Sequence, residues 1–283
     1  SAVRMLLAKL YLNAEVYTGT ARYNDAATYV NKVITQGGYS LETNYSKNFS
    51  ADNNTSKEVI YALIADAATS QSFGNTTYIV NGSISTDTMT PADFGTTDGW
   101  AGHRASKGWY GLFGSSSSEL ASNPDVRAKL FWTSGHNFEM TDYKTWKDGF
   151  PSVKFTNKNS NGTGNVTSFS STDFPLFRLA DAYLMYAECA VRGATGTTVA
   201  QGLTYLNEVR KRASATALPS YTLQTVLDER GRELGLEGVR RQDLIRFGKF
   251  TGGSYLWPWK GGVKDGKSIP DAYKLFPIPF TAI

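Results

Sequence analysis

The sequence has few of the residues on which most site chemistry rests. It holds one cysteine, Cys189, so an intrachain disulfide is excluded. Cys189 lies inside an apolar helical pattern, where a lone thiol acts as a small buried hydrophobe. There are two histidines, His103 and His136, and neither falls in HExxH or another metal-ligand spacing. No stretch approaches the roughly 18 apolar residues that a membrane-spanning helix needs. Long runs of one charge are also missing. The net charge of +4 is spread along 283 residues, with no basic stripe of the kind that holds nucleic acid. Arg240-Arg241, Arg246 and Lys249 form the densest basic stretch, but Glu237 and Asp243 share it, so it reads as a solvated or internally paired helix face. No secretory leader opens the chain. Ser1 already lies in a helical pattern and the sequence stops just after Pro277-Ile278-Pro279, which reads as a cut from a longer precursor with its targeting segment elsewhere.

What the sequence has in quantity is aromatic side chains. They make up 13% of the residues, including 6 Trp and 16 Tyr, more than a core of this size requires, and hint at a surface that binds something flat. The chain divides into helical, irregular and helical thirds: 1–69, 70–172 and 173–283. Ser1–Tyr17 has Leu6, Leu7, Leu10 and Ala14 on one helical face. Tyr23–Gln36 repeats the pattern with Ala26, Val30, Val33 and Ile34, and Gly37-Gly38 ends it. A strand is predicted over Glu58–Ile64. From about Ser70 to Thr172, Gly, Ser, Thr and Asn dominate, no helical period persists, and Trp100, Trp109, Trp132 and Trp146 all occur; this reads as ordered loops, with strands at Ala128–Thr133 and Ser152–Phe155 and a turn at Ser160–Gly164. Helical order returns at Phe174, with Leu176, Leu179, Ala180, Tyr183, Ala187, Ala190 and Val191 in one stripe. Val199–Ala213 is its partner, with Val199, Leu203, Leu206 and Val209 inward, and Thr222–Glu237 and Val239–Lys249 make another pair about Gly238. Helix pairs of similar length, with small and aromatic residues at their contacts, predict a mainly all-α, tetratricopeptide-like superhelix carrying an irregular insert of loops and short strands.

Familiar catalytic patterns fail on context. Gly261–Ser268 satisfies GxxxxGK[ST], but no apolar strand leads in and Pro270 stands where the helix should begin, so it reads as a turn. There is no GxSxG elbow, and Gly162-Thr163-Gly164 lacks the third glycine and the strand and helix of a dinucleotide site. Glu139 with Asp142, or Asp98 with Asp125, could supply the two carboxylates of a glycosidase, but nothing in the spacing selects them. Glu229, Glu233 and Glu237 stack at four-residue spacing, which repels unless cations intervene; Arg230, Arg240 and Arg246 are at hand, and an ion-pair lattice between helices is the expected outcome.

One segment is far more specific. Residues 227–249 contain Glu229-Arg230, Arg232-Glu233-Leu234, Glu237-Gly238 and Asp243-Leu244-Ile245-Arg246 followed by Gly248-Lys249, and this resembles the C-terminal signature of the SusD/RagB-like family. Phe177–Glu188, Leu206–Ala213, Ser56–Tyr61 and the closing Leu275–Pro279 are similar to further family segments in the same order. The resemblance spans nearly the whole chain, most closely in its helical thirds. It departs at Arg241 and Gln242, where aromatics are usual, and at Gly231 and Gly235, which replace better helix formers at about 1 kcal/mol each.

The resemblance implies a non-catalytic protein with no cofactor. It implies oligosaccharide binding on the outer face of a bacterial outer membrane, lipid anchorage through a part of the precursor outside this chain, and delivery to a SusC-like, TonB-dependent transporter. A neutral glycan offers flat C–H faces and hydroxyl pairs, which aromatic platforms and planar polar groups hold. The irregular third supplies that mixture: Trp100 near Asp98 and His103, Trp109-Tyr110 near Arg104, Trp132 near His136 and Asn137, and then Tyr143 and Trp146. An indole in a loop-rich layer serves equally to pin that layer to the core. Trp257 and Trp259 read as packing beside Pro258, and Tyr183 and Tyr186 as core. Two other readings remain open: a helical-repeat scaffold that binds a protein, and a glycoside hydrolase.

Overall fold

The computed structural model describes residues 1–282. Its helices follow the apolar periodicity, but α1 (Ala2–Leu12) turns a different face inward from the one predicted. Met5, Ala8 and Leu12 are buried, while Leu6 and Leu10 face solvent. The smaller stripe lets Ala8 meet Ala26 and Ala27 of α3 (Tyr23–Gln36) at close range. The helix also breaks at Asn13, so Ala14–Thr18 forms a separate short α2. Tyr11 and Tyr29 stack between α1 and α3 at 5.7 Å.

The strand β1 (Val59–Leu63) pairs antiparallel with β2 (Phe174–Arg178), where the sequence predicted helix; Pro175 lies in β2, and proline is tolerated only in an edge strand such as this. The helix proper, α7 (Leu179–Val191), starts only at Leu179 and is buried on nearly every face. It lies between α3, α8 (Val199–Arg212) and α9 (Leu223–Glu233), so the first and last thirds share one core. Its alanines permit this: a Cβ on Gly202 of α8 would lie 3.2 Å from Ala187 Cα. A reciprocal box between Thr222 and Thr225 caps α9, and Val199 is exposed rather than inward because it opens α8. After Gly238, α10 (Arg240–Arg246) runs back. Arg241 donates to the Tyr273 and Lys274 carbonyls and lies over the Phe276 ring, so it clamps the closing segment.

The middle third contains helices that its composition concealed: α4 (Asn75–Gly82), α5 (Lys107–Tyr110) and α6 (Ser117–Ser122). Neither predicted strand there forms. Val126–Leu130 is a 3-10 turn capped by Asp125, and only the bridge Phe131–Ser152 remains. The Ser160–Gly164 turn is present. Gly261–Ser268 is a glycine turn with no strand leading into it.

The expected ion-pair lattice exists, but its cations come mostly from outside the signature. Arg178 at the end of β2 pairs with Glu58 at 2.8 Å, Glu233 at 2.6 Å and Glu237 at 2.6 Å. From the middle third, Arg127 reaches Glu229 and Glu233 at 2.8 Å each, and Lys154 reaches Glu237 at 2.6 Å. Arg212 joins Glu58 to Glu233. Arg230 and Arg246 instead meet on Asp243, and Arg240 pairs with none of these glutamates. The side chains of the glutamates and of Arg127, Lys154, Arg178 and Arg212 are buried, and buried charge is stable only when each partner is in place. The lattice therefore fixes the irregular third to the helical frame.

Candidate functional site

The aromatic side chains predicted to face a ligand do not share one surface. Tyr110 is fully buried, packs against Phe131, Phe138 and Phe150, and donates its hydroxyl hydrogen to the Phe138 carbonyl; it belongs to the core. Trp109 stands edge-on to Phe131 at 4.8 Å and against Gly235. Trp132 meets Phe94 edge-on at 5.9 Å, and its buried indole N–H finds no partner. Trp146 lies beneath the Arg104 guanidinium and beside His136, whose imidazole Nδ1 lies 2.9 Å from the Gly149 carbonyl. Among the predicted residues, Trp100 and His103 both pack on the exposed Tyr78, and Asp98 lies in the same loop.

They gather on α4. The buried face of α4 carries Thr76, Thr77, Val80 and Asn81, which leaves Tyr78 on the outer face. The next loop folds back over the helix end, where carbonyls are left without intrahelical partners. The N–H groups of Trp100 and Ala101 donate to the Asn81 and Ile84 carbonyls at 2.8 Å each, and those of Gly102 and His103 both donate to the Gly82 carbonyl. Ala101 holds a left-handed φ of 46° to make this return. The clamp leaves no room for side chains: a Cβ on Gly82 would lie 2.6 Å from the His103 ring, and one on Gly99 would lie 2.8 Å from the Ile84 carbonyl.

The result is an aromatic shelf. Trp100 lies 6.1 Å from Phe73 and 6.4 Å from Tyr78, measured between ring centres. Phe169 joins from the loop that leads to β2, at 5.1 Å from Phe73, and His103 lies 5.6 Å from Tyr78. Phe73 is 67% exposed and Tyr78 54%, far from the state of core aromatics. Polar groups rim the shelf: Asp98, which accepts from its neighbour Gly99 N–H, and the Thr97–Ser168 hydroxyl pair. Burial lowers the His103 pKa, so the ring is neutral near pH 7, and Ser83 Oγ lies 3.3 Å from its Nδ1. The shelf thus offers flat apolar faces with hydroxyl, imidazole and carboxylate groups around them.

Sequence reasoning missed Phe73, Tyr78 and Phe169. Their signal was weak because α4, rich in Thr, Asn and Gly, shows no clear apolar period. The acids that could have served hydrolysis are not poised for it. Asp125 is buried against Arg127 at 2.7 Å, and Glu139 is paired with Lys107 at 2.8 Å. Among the described residues no cluster of three or more His, Cys, Asp or Glu could hold a metal ion.

The SusD family model matches residues 130–283. The starch-binding protein SusD of Bacteroides thetaiotaomicron is 35% identical over 326 aligned positions, which span 99% of this chain and 57% of that protein. A SusD-like protein of Bacteroides ovatus is 26% identical over 88% of this chain and 46% of its own length. Surface glycan-binding protein A of Bacteroides thetaiotaomicron superposes with a TM-score of 0.73 at 26% identity, over 99% of this chain and 60% of that one. Its complex with laminarihexaose superposes with a TM-score of 0.71. This chain spans roughly half to three fifths of the length of these relatives. The relatives that superpose share its tetratricopeptide-like helical frame, and these proteins are named for binding rather than for catalysis.

Proposed function

This chain belongs to the SusD family, and from that premise we propose that it holds a neutral oligosaccharide on the Phe73–Tyr78–Trp100 shelf without cleaving it. The observation that carries the reading is the shelf itself. Contiguous aromatics left open to water are unusual on a soluble surface and mark a binding site. Their rigid faces suit the C–H faces of a sugar, while Asp98, His103, Thr97 and Ser168 suit its hydroxyls. Trp132 and Trp146 serve as supports within the irregular third. The glycan would pass to a SusC-like, TonB-dependent transporter at the outer membrane, where a lipid anchor outside this chain would hold the protein. A second exposed apolar face suits a protein partner of that kind: Val3, Leu6, Leu10 and Tyr17 of the first helices, with Leu176 of β2.

Affinity electrophoresis through starch and laminarin gels tests the shelf, followed by calorimetry with maltohexaose and laminarihexaose. Retention on at least one glycan is expected, and Trp100→Ala and Tyr78→Ala should each weaken it by about tenfold, or ~1.4 kcal/mol. No retention on any glycan, or unchanged retention in both variants, overturns the reading. Release of shorter sugars would make the protein a hydrolase.

A further inference from the structure

A second cavity, of about 240 Å³, opens between α5, the end of α9 and residues 255–257, and no residue of the aromatic shelf lines it. Its floor is aliphatic, from Leu112, Leu234, Leu236 and Val239, and Trp109, Tyr255 and Trp257 form its walls. Glycines in the wall let the side chains that line it lie directly on the backbone. A Cβ on Gly235 would lie 2.0 Å from Trp109 Cζ2, and one on Gly231 would lie 2.7 Å from Leu112 and 3.0 Å from Arg240 Nη1. A Cβ on Gly108 would lie 3.1 Å from Trp257 Cβ.

Two cations reach this cavity, and among the described residues one of them, Arg240, has no carboxylate partner. Arg230 is committed to Asp181 and Asp243 at 2.8 Å each. Arg240 donates only to uncharged oxygens, the Leu227 carbonyl at 2.7 Å and the Tyr255 hydroxyl at 3.0 Å. A guanidinium carries five N–H donors, so Arg240 has hydrogens to spare. The side-chain acceptors on the wall are few: the Tyr255 hydroxyl, which already receives Arg240, and Ser106 Oγ, which receives the Gly108 N–H. The cavity therefore offers donors, one positive charge and apolar walls. A sugar ring would set most of its hydroxyls against these apolar walls, at a cost, whereas a carboxylate needs only the spare Arg240 hydrogens. The volume also falls below the ~300 Å³ at which pockets for drug-sized ligands begin, which points to an occupant of one ring.

We propose that this cavity is a binding site for an aromatic carboxylate, with one ring against Trp109 and Trp257 and the carboxylate on Arg240. It is separate from the glycan shelf and does not depend on it. Titration of the protein with benzoate and with benzyl alcohol, followed by saturation-transfer NMR and tryptophan fluorescence, tests it. Benzoate should bind at least about tenfold more tightly than the alcohol, because a charge-assisted bond discriminates the two. Arg240→Gln should bring benzoate down to the level of the alcohol, Arg240→Lys should keep part of the preference, and Trp257→Ala should weaken both probes. Equal binding of the two probes, benzoate binding indifferent to Arg240→Gln, or no benzoate binding at millimolar concentration overturns the proposal. Arg240→Gln should leave glycan retention unchanged, so this proposal and the glycan reading fail independently.

Discussion

Gly235 is where the indole of Trp109 rests, and no other residue fits there. Any side chain would enter the ring, since a Cβ at this position comes within 2.0 Å of it. On its other side Trp109 stands edge-on to Phe131, so it can yield only by turning toward the cavity it lines. Gly235→Ala should therefore destabilise the protein by about 1–3 kcal/mol, the usual cost of forcing extra atoms into a packed site. A urea melt with near-ultraviolet circular dichroism checks this, because the indole signal should change with the midpoint. An unchanged midpoint and spectrum would show that the ring moves freely. From sequence, Gly231 and Gly235 register only as poor helix formers with a local cost. Their reason lies in Trp109 and Leu112, distant in sequence, and in Arg240 on the helix after Gly238, and helix propensity cannot see it. Cys189 was legible because its apolar neighbours fix its burial, and burial raises the thiol pKa to about 12, which leaves it inert.

Elements are joined here by buried charge as much as by apolar packing. β2 ends in Arg178, α9 carries Glu229 and Glu233, and Arg127 of the irregular third completes the group. Burial alone would raise the pKa values of Glu58, Glu229 and Glu233. The guanidiniums of Arg212, Arg178 and Arg127 override it and hold all three carboxylates below their ordinary range. A carboxylate with a lowered folded pKa contributes stability above its unfolded value and loses it as pH falls through the folded value. The melting temperature should thus decline gently from pH 7 to about 5, because burial lowers the His103 and His136 pKa values and the unfolded chain takes up those protons first, and fall steeply below about 4.5. Arg178→Met leaves Glu58, Glu233 and Glu237 facing one another with less compensation. It should cost about 3–5 kcal/mol and move the acid transition to higher pH, as melts across pH 3–7 would report. Equal loss at every pH would show that Arg178 acts through packing. The stacked glutamates made this lattice legible, since like charges at that spacing demand cations. Which cations answer was not legible, because Arg127 and Lys154 arrive from loops whose path follows no period.

At the scale of the molecule, a rigid helical frame carries a loop-rich layer, and the layer displays its aromatics unevenly. The frame could be read in advance because helix periodicity and the signature both speak for it. The layer could not, since its predicted strands fail, its α5 and α6 are single turns or little more set by serine caps, and its shelf is made by backbone clamps rather than by any pattern of side chains. That construction sets how binding responds to solution conditions. Phe73, Tyr78 and Trp100 carry no charge, and a neutral sugar brings none, so Coulomb terms contribute little to their contact. His103 stands beside Tyr78, and burial holds its pKa below the ordinary value, which favours the neutral ring. Glycan affinity should accordingly change less than about twofold between 50 and 500 mM salt, a range over which exposed ion pairs are largely screened. It should also stay level from pH 8 to 6.5, and weaken only at lower pH as a charged imidazole beside Tyr78 acquires a shell of water. Calorimetry across both ranges reads this directly. A steep salt dependence would move the contact off the shelf and onto the scattered cations of the surface.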